Sequence, residues 1–96
     1  EWSAPKAKSN FKKHGISFEE AASIFGDSWG IEVYDSKHST PKEKRFIRVG
    51  LSGARPLILM TVYTVRSAIH AKETIRIISS RQASRKEKEI YFGSFI

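Results

Sequence analysis

The chain has no cysteine, one methionine, three prolines and six glycines in 96 residues. Without cysteine there is no disulfide scaffold, no thiolate-held zinc or iron–sulfur centre and no thiol nucleophile. That usage fits a reducing compartment, and a cytoplasmic location is expected. Long apolar runs are also missing. The longest near-apolar stretch, Leu57 to Val65, is half of the ~18 residues that a membrane span needs. No membrane association and no secretory leader are expected. Histidine is scarce, and His14, His38 and His70 stand far apart. There is no His-x-x-x-His pair, no glycine-rich phosphate loop and no nucleophile elbow. Neither a metal nor a cofactor is expected. The length suits a single domain over residues 1–96.

Acidic residues are in the minority, 10 against 17 Lys+Arg, for a formal charge of +7. The imbalance is uneven. Residues 15–35 hold five acids and no base, whereas residues 36–48 hold five bases and only Glu43. Such a dipolar, mainly basic molecule attracts a polyanion to one region and leaves another for an orienting partner.

Hydrophobic spacing predicts two N-terminal helices. The first runs from Pro5 to His14, capped by Ser3 and stopped by Gly15, with Ala4, Ala7 and Phe11 as an apolar stripe. The second opens on a capping box, Ser17 with Glu20, and ends at Gly26. From Ile31 the period changes to two. Strands are expected over 31–35, 44–51, 57–65 and 73–80, the third central because it is apolar on both parities. Ser84 and Glu87 form a second capping box, opening a short basic helix to about Phe92. Short connections favour an antiparallel meander with helices on one face, hence an α+β class.

Strand parity sorts the side chains into two sets. Ile31, Val33, Ile47, Val49, Leu51, Ile58, Met60, Val62, Ile75 and Ile77 form an apolar set expected beneath the helices. Glu32, Tyr34, Phe46, Arg48, Thr61, Tyr63, Thr74, Arg76 and Ser80 form a mixed set expected on an open face. Arginines beside aromatics suit RNA, as guanidinium forks for phosphate and rings for unstacked bases. The same pattern also suits the solvated side of any antiparallel sheet. Metal-free RNA cleavage needs a base for the 2′-OH proton and cations for the phosphorane charge. His14, Glu73 and Tyr63 have the chemistry for proton transfer, and Arg48, Arg76 and Arg81 for charge stabilisation. A non-enzymatic nucleic-acid-binding module and a structural interaction protein remain open at this point.

Specific strings go further. Trp2 with Pro5-Lys6, then Asn10 through Ala21 with its Lys13-His14-Gly15 core, resembles the opening of the BrnT family of small toxins. Phe46 to Gly50 is similar to the family's middle segment. Ile75 through Glu87, closing on Tyr91, resembles its ending. The chain departs from the family pattern at Ser3-Ala4, where an Asp is usual, and in a longer 65–72 loop. The resemblance implies a RelE-like fold with two N-terminal helices, a four-stranded mainly antiparallel sheet and a short C-terminal helix. It implies a ribonuclease toxin of a type II toxin–antitoxin pair that blocks translation. It also implies neutralisation by a ribbon-helix-helix antitoxin of the BrnA type, the toxin sitting on an antitoxin dimer that alone contacts operator DNA. On these grounds His14, Glu73, Arg76 and Arg81 are the expected catalytic residues. Lys13, Arg45, Arg48, Tyr63, Arg66 and Arg85 are the expected RNA contacts.

Overall fold

Two serines start the N-terminal helices. The structure, a computed structural model, describes residues 1–66 and 73–93. In α1 (Ala4–His14) the Ser3 hydroxyl accepts from the Lys6 N–H, Pro5 occupies the first turn, and Gly15 turns left-handed at φ 70° while its N–H reaches the Phe11 carbonyl. In α2 (Phe18–Ser23) the Ser17 hydroxyl accepts from the Glu20 N–H at 3.0 Å. The Glu20 carboxylate does not return to Ser17; it is taken by Arg55 and Ser52 across the fold. The helix stops at Ser23, and a single 3₁₀ turn (Ile24–Gly26) covers the residues expected to continue it.

Four strands follow: β1 (Ile31–Tyr34), β2 (Arg45–Leu51), β3 (Ile58–Arg66) and β4 (Thr74–Gln82). They pair antiparallel in sequence order, so the fold is α+β with β2 and β3 inside and β1 and β4 at the edges. Then comes α3 (Arg85–Gly93). Its capping box is complete, Ser84 Oγ accepting from the Glu87 N–H and Glu87 Oε1 from the Ser84 N–H.

Helices cover both faces, contrary to the single covered face expected. The elements α1, α2 and the 3₁₀ turn lie on the face of Arg48, Thr61, Tyr63 and Ser80, where Ile16, Phe18, Ala21, Ile24, Leu59 and Ile77 make the main core. Helix α3 lies on the other face. There Tyr91 and Ala83 pack with Val49, Ile58 and Met60, flanked by Ile31, Ile47 and Val62. The mixed face is therefore a core face at its centre, not an open surface. The Thr61 and Ser80 hydroxyls on it are buried and paired with each other at 3.0 Å.

A bulge in β4 also changes the parity. Val62 faces Ser79 but Tyr63 faces Ile77, so Ile78 is the extra residue. Beyond it, Ile75 and Ile77 belong with Tyr63 and Val65, and Arg76 belongs with Thr64. Arg48 and Arg76, expected on one face, thus lie on opposite faces. A sequence read with strict alternation cannot register the extra residue.

The apolar stripe of α1 is corrected as well. Phe11 is 57% exposed, and the buried side chain of this helix is Asn10. Its amide donates to the Ser80 carbonyl at 2.8 Å and the Ile16 carbonyl at 3.0 Å, and accepts from the Ser80 N–H at 3.0 Å. Ser80 sits on the outer edge of β4, where unpaired backbone groups must find partners. Further along, Glu1 satisfies the edge at Ile75 and Ile77.

Two carboxylates join the remaining elements. Glu20 accepts from both the Nε and Nη2 of Arg55 and from Ser52, tying α2 to the turn before β3. Asp27 accepts from the Trp29 and Leu51 N–H groups and from the Tyr91 hydroxyl at 2.5 Å, joining the 3₁₀ turn to β2 and α3. The Arg55 fork, with help from Ser52, holds the Glu20 carboxyl below the usual range against the opposing effect of burial. Burial works against ionised Asp27 also, but the hydrogen bonds from Tyr91 and the two N–H groups, and nearby Arg48, hold it low. Burial and then the Asp27 bond push the Tyr91 phenol up to about 12.

Two outcomes test this framework. Asn10→Ala leaves three backbone groups unpaired and lowers unfolding free energy by about 2–4 kcal/mol, measured by urea denaturation. Because Glu20 and Asp27 are low in the folded state, their stabilisation is complete above about pH 4.5 and is lost as pH falls through their folded values. The urea midpoint falls between pH 5 and 3, and Glu20→Gln flattens that fall.

Candidate nucleic-acid interface

On the α3 side of the sheet the register sets Arg45, Thr64 and Arg76 in one cross-strand row, with Arg66 opposite Thr74 in the next. Cross-strand neighbours stand ~4.5–5.5 Å apart at Cβ, so the row places two guanidinium stems on either side of a hydroxyl. A groove of about 460 Å³ adjoins it, lined by the 41–44 loop and residues 64–66 of β3. This adds Lys42 and Lys44 to the cations.

Each arginine here is held by a carboxylate. Arg45 Nε meets Glu43 at 2.8 Å, and Arg76 Nη1 meets Glu1 at 2.7 Å, with Arg66 at 3.9 Å from the same oxygen. The Arg76 hydrogen bond, then its charge and that of Arg66, keep Glu1 below the ordinary carboxylate range against the effect of desolvation. Further along β4 on this face, Arg81 forks onto both oxygens of Glu87 at 2.8 and 3.0 Å. Burial opposes ionised Glu87, but the Arg81 fork and the Ser84 N–H outweigh it. A planar guanidinium aligned on two anionic oxygens has the geometry that phosphate also accepts.

The α1 terminus meets this face at the sheet edge. Lys13 and His14, with Lys6 and Ser9, line a groove of about 230 Å³ against Ile78 and Ser79. Ser79 pairs with Val62 and so shares the face of Arg76 and Arg81. Asn10, one turn back on α1, fixes this approach through Ser80.

The structure separates the other expected residues from this group. Arg48 lies on the opposite face, with its guanidinium over the Phe25 ring at 5.5 Å and Nη2 donating to the Asp27 carbonyl. Gly30 gives it room: a Cβ there would meet the guanidinium at 2.7–2.9 Å. Tyr63 is buried on the same face, with its hydroxyl bonded to Glu32, and Glu73 lines a groove beside it. Arg85 is exposed on α3 and pairs with Glu89 at 3.4 Å. His38 bonds Asp35, and His70 lies outside the described residues.

Sequence reasoning missed Asn10, Asp27 and the Arg55–Glu20 pair. The last had a signal, since Glu20 ends a capping box and Arg55 sits in a turn of otherwise short side chains. Asn10 stood only as the first residue of a motif string, and a polar residue on a lysine-rich helix reads as solvent-facing.

These observations define a small basic α+β protein with an arginine-bearing sheet face, flanked by a basic helix end. The model of the family described as "Ribonuclease toxin, BrnT, of type II toxin-antitoxin system" matches residues 2–87. The chain belongs to this family, and is a ribonuclease toxin of a type II toxin–antitoxin system. An antitoxin partner and an RNA substrate follow from that membership. No curated protein matches the chain in direct comparison. Among the described residues no helix is long and apolar enough to cross a membrane.

If the arginine row carries phosphate, Arg76→Ala weakens binding of a short single-stranded RNA at all sequences alike. The slope of log K against log salt falls by about 0.7, one fewer neutralised phosphate. Fluorescence anisotropy at several salt concentrations measures it.

Proposed function

We propose that the protein cleaves RNA on the α3-side face of the sheet by attack of the neighbouring 2′-OH, without a metal, and that this loss of RNA stops translation. The observation that carries the reading is the row Arg45–Thr64–Arg76, with Arg66 beside it and Arg81 further along β4, on the face that the N-terminal helices leave open. Arg45, Arg66 and Arg76 hold the phosphates that flank the scissile bond. Arg81, released from Glu87, stabilises the extra charge on the phosphorane. The 2′-oxygen bonds to phosphorus as the bond to the 5′-oxygen breaks, and that oxygen leaves with a proton. His14 exchanges the protons from the end of α1, since imidazole is the side chain suited to both roles near neutral pH. Lys13 steers the chain towards it. Arg85 adds to the long-range field, and Arg48, Tyr63 and Glu73, on the opposite face, take no part in this step.

In the cell, which we take to mean the cytoplasm, a ribbon-helix-helix antitoxin of the BrnA type neutralises the toxin. The toxin sits on an antitoxin dimer, and operator DNA is met only through the antitoxin. Family membership supports this partner class, and the basic surface suits an acidic antitoxin segment.

Purified protein incubated with RNA in EDTA yields fragments with 2′,3′-cyclic phosphate and 5′-hydroxyl ends. A 2′-deoxy nucleotide at the cleaved position abolishes the cut. Arg81→Ala lowers the rate by about 10²-fold, the scale of one transition-state donor, and Arg76→Ala, which loses the grip on a flanking phosphate, weakens substrate binding. Both variants stay folded, although Arg81→Ala leaves Glu87 without its fork and lowers the unfolding midpoint. They also relieve growth arrest on expression. Cleavage that disappears with EDTA, or RNA that is retarded but intact, overturns the mechanism.

A further inference from the structure

On the α1–α2 side, past the cover of the helices, a groove of about 270 Å³ opens among Phe25, Phe46 and Tyr63, with Glu32 and Glu73 as its acidic walls. The rings are continuous. Phe46 stacks on Tyr63 at 5.7 Å and 24°, Phe25 meets Tyr63 edge-on at 5.0 Å, and Tyr34 meets Phe46 edge-on at 5.6 Å. Tyr34 is exposed and Phe46 half-buried, so the platform reaches solvent. The Tyr63 hydroxyl is spent on Glu32 Oε1, which also lies 3.7 Å from Arg48. What the groove offers an incoming group is therefore flat apolar surface and carboxylate acceptors.

We propose that this groove is a nucleobase pocket that prefers guanine, a reading that rests on the ribonuclease function. A splayed base stacks on Phe46, with Tyr34 standing edge-on at the solvent side, as single-stranded RNA does on exposed rings. The carboxylates choose among bases by donor pattern. Guanine presents N1–H and N2–H side by side, which one carboxylate accepts as a pair. Adenine and cytosine each set a ring-nitrogen acceptor beside their amino group, and uracil flanks its one N–H with two carbonyls; both patterns turn lone pairs towards the acid. The pocket is also close to the proposed phosphate grip. Val65 and Ile75, which line it, alternate along β3 and β4 with Arg66 and Arg76. Phosphate is held on one side of these strand ends and the base is read on the other.

Fragment-end mapping on a mixed-sequence RNA tests this with the full chain. The wild type cuts at a fixed position relative to guanine. Glu73→Gln and Phe46→Leu each lower the ratio of guanine-directed cuts to all others by about tenfold or more, the value of a good bidentate base contact. Cleavage without base preference, or a preference that both variants retain, overturns the pocket while leaving the ribonuclease reading intact. Should no RNA be cut, NMR titration with guanosine monophosphate decides. Shifts of the Phe46 and Tyr63 ring signals, larger than those with the adenosine, cytidine or uridine monophosphates, support the pocket. No shift overturns it. The same shifts with arginine amide but not with guanosine monophosphate overturn it in favour of a protein side chain as occupant.

Discussion

An antiparallel strand gives its side chains to alternate faces, and β4 breaks that alternation once, at Ile78. The break decides which arginines share a face. With it, Arg76 joins Arg45, Thr64 and Arg81 on the side that the N-terminal helices leave clear, while Ile75 and Ile77 turn to the other side. The bulge lies beside Ser80, where Asn10 closes the edge of the strand from α1. A register slip of one residue here exchanges the faces of all that follows, so the Asn10 clamp protects the placement of the arginines as well as the docking of α1.

Local rules were legible in the sequence wherever one residue type satisfies one backbone demand. The serine caps at Ser3, Ser17 and Ser84, the stop at Gly15 and the four strands were all readable, with ends shifted by one or two residues. Strand order followed from the short connections. What escaped were features that depend on two distant segments at once. Asn10 is polar because β4 needs it 70 residues later, and Glu20 leaves its capping box because Arg55 offers a fork. The second covered face escaped for a related reason: Thr61 and Ser80 read as solvent-facing, yet they bury each other's hydroxyls.

The same limit governed the site. Motif strings at both ends of the chain pointed to the family, and the family model spans both. Strict parity, however, placed Arg48 and Arg76 together. Arg48 instead fills the space that Gly30 leaves beside Phe25, pinned by the Asp27 carbonyl. The face that gathers Arg45, Arg66, Arg76 and Arg81 is the one that parity had labelled apolar. Its far end is mainly apolar and lies under α3, with Arg81 beside it on Glu87, and its near end carries Arg45, Arg66 and Arg76.

Glu87 occupies two positions in this scheme. It closes the cap of α3 through the Ser84 N–H and holds Arg81 through both oxygens. A polyanion that draws Arg81 away removes a counter-charge from the first turn of α3, and anything that lifts α3 removes the carboxylate that keeps Arg81 occupied. The two events are thermodynamically reciprocal. Since Tyr91 and Asp27 fasten that helix to the 3₁₀ turn across the fold, the carboxylate that occupies Arg81 is itself anchored from the opposite side of the sheet.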